Sequence, residues 1–147
     1  MCLDVLKSNK DKLVAETDIV VYKYLKITSI GFVTPFQYQP INIGESYYSK
    51  LKVRLYSDVD LDNDELPDDL LVGCVGEGLH SFGSFKDAYR QYRYDKSERV
   101  VVKCLIPKGS EYYVGKFDDQ LSYASADLIY VKKYNKLTAY FKNLFNL

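Results

Sequence analysis

The chain has 147 residues, a length that suits one domain closed around a single core. Twenty Lys and Arg balance twenty Asp and Glu, and 47% of residues are apolar, so an intrinsically disordered chain is excluded on composition. No apolar run approaches the roughly 18–20 residues that cross a bilayer as a helix, and three cysteines at wide spacing (Cys2, Cys74, Cys104) suit neither a disulfide framework nor a paired zinc site.

The opening segment MCLDVLKSNKDK is charged throughout and lacks the apolar stretch of a signal peptide, so the expectation is a soluble, cytoplasmic protein. Tyrosine occurs 15 times and tryptophan never. Tyrosine is a strand former with a polar tip, so this usage favours half-buried strands with wet outer faces.

In chain order, residues 1–17 read as a polar lead with helical character around Asp4–Ala15. Asp18–Ile27 (DIVVYKYLKI) is β-branched and aromatic and predicts a strand. Gly31–Tyr38 is a second extended piece, which Pro35 confines to an edge or a bend. Leu51–Ser57 alternates apolar and polar residues as a half-exposed strand does, and Leu70–Val75 is a short apolar strand leading into the corner Gly76–Gly78. Ser84 has the character of a helix N-cap, and Phe85, Ala88, Tyr89 and Tyr92 recur at helical spacing, which predicts a helix over Phe85–Tyr94. Val100–Ile106 is the most apolar strand and is expected at the centre of the sheet. Tyr112–Val114 and Asp127–Lys133 follow as strands, and an amphipathic helix is predicted over 134–147, packed on the core. The whole reads as α+β: a single domain, 1–147, with a twisted, mostly antiparallel sheet and a few short helices.

The neutral total hides an asymmetry. Seven acids and no base fall between Asp58 and Asp69. With those set aside, 13 acids face 20 bases and the rest of the chain carries +7. The basic part permits contact with acidic surfaces, but zero net charge makes general nucleic-acid binding the weaker reading. Within the acidic stretch, Asp58, Asp60, Asp62, Asp64 and Asp69 stand at spacings resembling a calcium loop. Asn63 occupies the place of the loop glycine, Asp69 that of the bidentate glutamate, and a strand rather than a helix precedes the segment. A solvated acidic loop is the favoured reading and calcium the alternative.

His80 is the only histidine, so any imidazole chemistry must use it. It lies in Gly78-Leu79-His80-Ser81-Phe82, where glycines and a helix start could offer amides and a side chain to an anionic ligand. Cys74 and Cys104 sit inside apolar strands, where a thiol acts as a small hydrophobe. Cys2 has no activating base near it in sequence. Tyr89–Tyr94 mixes cations with aromatics as a nucleic-acid surface might, but reads first as an amphipathic helix.

Two resemblances emerge from these segments. The early Val21-Tyr22-Lys23 strand, the Gly-Leu-His-Ser-Phe-Gly-Ser corner at 78–84, the helix with Ala88 and the closing Ile106-Pro107-Lys108-Gly109-Ser110 resemble the layout of small ADP-ribosyltransferases over Asp18–Lys133. That resemblance implies a ligand site at Tyr22, Lys23, His80 and Ser81, and catalytic roles for His80 and Asp127 with NAD as substrate. Lys23 replaces the family's Arg or His, and 121–127 contains no glutamate, leaving Asp127 as the nearest carboxylate. Over nearly the whole chain, the Met-Cys-Leu start, the Gly-x-His-Ser-Phe corner and Ile-Pro-Lys-Gly-Ser also resemble uncharacterised small proteins of gut bacteria and their phages.

The combined expectation is a phage- or mobile-element-derived, non-catalytic binding protein. Its partner would be a host or phage protein or a small ligand, with no resident cofactor and no membrane contact. An NAD-consuming transferase or glycohydrolase is the first alternative, and a structural virion component the second.

Overall fold

The computed structural model describes residues 2–91 and 98–135. Twelve strands dominate it: β1 (Leu3–Leu6), β2 (Leu13–Val14), β3 (Ile19–Thr28), β4 (Gly31–Val33), β5 (Pro40–Ile41), β6 (Ser46–Tyr48), β7 (Leu71–Val75), β8 (Leu79–Phe82), β9 (Arg99–Ile106), β10 (Glu111–Phe117), β11 (Gln120–Ser125) and β12 (Asp127–Lys133). One α-helix, α1 (Phe85–Arg90), and a 3-10 turn at Lys7–Asn9 accompany them among the described residues. Among the described residues strand makes up 48% and helical turns 8%, every ladder is antiparallel, and the fold is therefore all-β. This corrects the α+β expectation. The physical reason lies in the lead: the Asp4–Ala15 segment, read as helical, supplies β1 and β2, which pair with β7 and β10.

The sheet order is β6-β12-β9-β3-β8-β11-β10-β1-β7. Only Ala126 separates β11 from β12, so the path β12-β9-β3-β8-β11 returns to the same stretch of chain. The sheet coils back on itself, and the coil surrounds a core. β3 and β9 hold this wall together through eight successive register pairs, Ile19↔Ile106 to Lys26↔Arg99. Both strands are rich in β-branched residues, whose stiff side chains pack well on a pleated surface.

Alternation then sorts the side chains. Val21 and Leu25 of β3 join Val102, Cys104 and Ile106 of β9 and Leu128 and Tyr130 of β12 in the enclosed core. Tyr22 and Tyr24 face the other way, where Phe82, Phe85, Ala88, Val101 and Tyr134 form a second cluster under α1. Each fully buried Val, Leu or Ile contributes about 1.5–3 kcal/mol, and Val21, Leu25, Val102, Ile106 and Leu128 are all wholly covered. A third cluster, with Leu3, Val5, Val53, Val75, Tyr113 and Ala124, fills the β1–β7–β10 end.

Ser84 caps α1 as its sequence predicts, accepting a hydrogen bond from the Asp87 amide at 3.1 Å. The helix ends at Arg90; the remainder of the expected Phe85–Tyr94 helix, beyond Gln91, lies outside the described residues. The C-terminal helix expected over 134–147 also lies outside them, apart from its first residues, of which Tyr134 packs edge-on against Phe85 with ring centroids 5.2 Å apart. Leu51–Ser57 is not a strand: only Tyr56 pairs, bridging to Cys74. No helix among the described residues is long and apolar enough to cross a membrane.

Candidate functional site: a cavity beside Lys23

β3 and β8 share one register pair, Tyr22↔Phe82, and then part company. The gap between them is a cavity of about 60 Å³ lined by Lys23, Tyr24, Ile41, Tyr47, Leu79, His80, Phe82 and Tyr130, with residues of 34–39 and the glycines of the 76–78 corner at its edge. That volume holds a few waters or one small group, since a water takes about 10–15 Å³ of such space.

The loop over the cavity is tied off by its own backbone. The Thr34 amide donates to the Gln39 carbonyl at 3.0 Å, the Gln39 amide to Thr34 Oγ1 at 2.9 Å, and the Tyr38 amide to the Thr34 carbonyl at 3.1 Å. Tyr38 takes a left-handed φ of 53° to allow this. At the other edge, Gly78 has φ 102°, and a Cβ there would meet the Ser125 carbonyl and Val53 at 3.2 Å. Glycine is therefore required to turn β7 into β8 at this point.

Lys23 is the site's unusual member. It lies between Val21 and Leu25 on the strand face that carries the enclosed core, and opposite Val102 on β9. Among the described residues its amine has neither a hydrogen bond nor an ion pair, and no carboxylate lines the cavity. Burial holds the amine well below the ordinary lysine range, at about 8. Removing an ammonium from water disfavours its charged form, and Cys104 beside it offsets that only in part.

His80 is also buried, and its pKa is pushed down to about 4, first by burial and then by the charge of Lys23. Its Nε2 lies 3.4 Å from the Gly76 carbonyl oxygen, and its Nδ1 is buried without a hydrogen-bond partner. The imidazole is therefore neutral at pH 7. Ser81 Oγ is likewise buried without a partner.

Of the four residues expected to bind ligand, the cavity gathers Lys23 and His80. Tyr22 points to the opposite face, where its ring meets Phe85 edge-on at 6.0 Å. Ser81 is fully buried on β8 and does not line the cavity. Asp127 opens β12 outside the cavity: its amide donates to Ser110 Oγ at 3.0 Å and its carbonyl accepts from Ser125 Oγ at 2.9 Å. The proposed catalytic pair His80 and Asp127 is thus split between the cavity and a strand start beside it.

Asp58, Asp60, Asp62, Asp64 and Asp69 all face solvent. Asp60 Oδ1 accepts the Asp62 amide at 3.1 Å, and Asn63 Oδ1 the Glu65 amide at 3.0 Å, so the loop is built from local turns. Among the described residues no three His, Cys, Asp or Glu side chains converge to hold a metal. The loop is anchored instead through backbone groups: Lys7 Nζ donates to the Leu66 carbonyl at 2.8 Å, and the Lys7 amide to that of Leu70 at 2.9 Å.

The lining residues Tyr24, Thr34, Phe36, Ile41, Tyr47 and Tyr130 have no motif that marks them in sequence. Lys23 could have been singled out by alternation alone, as the one charge between two core positions. No protein-family model, curated protein or solved structure matches the chain.

Proposed function

We propose that this chain is a non-catalytic binding protein, and that the cavity between β3 and β8 receives a small ligand with an apolar body and a polar oxygen group directed at Lys23. The observation that carries this reading is the amine of Lys23 at an aromatic-walled cavity where, among the described residues, no carboxylate meets it. Lys23 is half-buried, and an ammonium held against apolar walls gains from an oxygen acceptor that the lining does not supply. A ligand carboxylate or carbonyl oxygen supplies the missing acceptor, while Ile41, Tyr47 and Tyr130 take its apolar part. The position of Asp127 outside the cavity favours binding over NAD turnover.

The test is a calorimetric and NMR titration with short-chain carboxylates, butyrate first, and with NAD in parallel. The reading expects butyrate to perturb resonances of Lys23, Tyr47 and Tyr130, and Lys23→Met to abolish the effect. Nicotinamide release from NAD would overturn the non-catalytic assignment, and no response at the cavity to any carboxylate would overturn the site.

A further inference from the structure

From the placement of Lys23 we infer that the cavity is a covalent capture site for small aldehydes, with Lys23 Nζ as the nucleophile; the inference rests on the cavity being the ligand site. Three features of the site converge on this chemistry. Among the described residues Lys23 Nζ is the only amine lining the cavity, and it lies on the core face of β3 with no acid in the lining to hold it as a cation. Its neighbours Phe36, Ile41, Tyr47 and Tyr130 give the pocket apolar walls, and apolar surroundings favour the free-base form of an amine. The histidine beside it is neutral at pH 7 and contributes no competing positive charge.

The step balances without any redox partner. The neutral amine adds its lone pair to the carbonyl carbon, giving a carbinolamine. Loss of the hydroxyl together with the nitrogen's proton, as one water, then leaves a C=N bond. The imine is uncharged, so the product no longer sets an ammonium against the pocket's apolar walls. Lysines used in this way are activated by desolvation in apolar pockets. With the amine at about 8, about one molecule in ten is the free base at pH 7, some 300-fold more than for a lysine of ordinary pKa.

The experiment treats the protein with limiting butyraldehyde and cyanoborohydride at pH 7, followed by intact-mass and peptide mapping. The expected result is a reduced adduct at Lys23, formed about 100-fold faster than at any surface lysine and slowed by butyrate, with the α-amine, which also titrates at about 8, separated by peptide mapping and insensitive to butyrate. Lys23→Met should lose the adduct and leave the slow surface reaction as it was. Because the wild-type protein itself is labelled, a folding defect in the variant cannot mimic success. If butyrate perturbs the cavity but labelling is spread over surface lysines, the capture inference falls and the binding reading stands. If neither butyrate nor butyraldehyde engages the cavity, both fall.

Discussion

Lys23 makes the sharpest stability prediction. The amine titrates at about 8 in the folded chain against an ordinary 10.5. Between those values the unfolded chain binds more protons than the folded one, so stability rises with pH across that window. Below pH 8 the penalty for keeping an ammonium among Val21, Leu25 and Val102 is fully present. At 1.36 kcal/mol per pKa unit it reaches at most about 3 kcal/mol. Lys23→Met keeps an unbranched chain of similar length and removes the charge. The variant should therefore be more stable than the wild type at pH 7, by up to about 3 kcal/mol. The gap should close progressively between pH 8 and 10.5. Urea unfolding at half-unit steps of pH measures it directly. Titrating tyrosines are common to both proteins and cancel in the difference. Cys104, whose thiol is pushed up to about 12 by burial, stays protonated across the window. A gap that stays constant with pH, or a variant less stable than wild type at pH 7, would refute the placement of a desolvated amine.

Two further tests probe other parts of the structure. His80 titrates at about 4 when folded against 6.5 when unfolded, so the stability it confers in the neutral form is lost as pH falls from 6.5 through 4. Wild type should lose up to about 3 kcal/mol over that range beyond what His80→Gln loses, and parallel acid-unfolding curves would count against a buried neutral imidazole. At Gly73, a Cβ would lie 2.1 Å from the Tyr56 carbonyl oxygen, whereas at Gly76 it would meet nothing within 4 Å. Gly73→Ala should therefore cost about 1–3 kcal/mol by forcing the Tyr56–Cys74 bridge apart, with Gly76→Ala as the near-neutral control. Equal midpoints for the two variants in thermal melts would show that the close approach is absent.

Some of this protein was determined by the sequence alone. The β-branched runs of β3, β9 and β12 carry their strand identity locally, because a half-buried pleated surface selects such residues wherever it forms. The cap at Ser84 is equally local, a hydroxyl three residues from the amide it accepts. The alternation Val21-Lys23-Leu25 already places a lysine on the core face. Other segments are decided only in three dimensions. Leu51–Ser57 alternates like a strand yet finds one bridge, since pairing depends on a neighbour that local pattern does not supply. β11 is built from Gln120, Leu121, Ser122, Tyr123, Ala124 and Ser125, a weak pattern that becomes a strand because β8 and β10 flank it on both sides. The lead becomes β1 and β2 for the same reason. The cavity is the most non-local feature. It exists because β3 and β8 pair at one residue and then diverge as the sheet coils, and no short-range propensity encodes where two strands 50 or more residues apart will separate. Sequence placed the charge on the inner face, and the tertiary fold decided that this charge would meet an unfilled space.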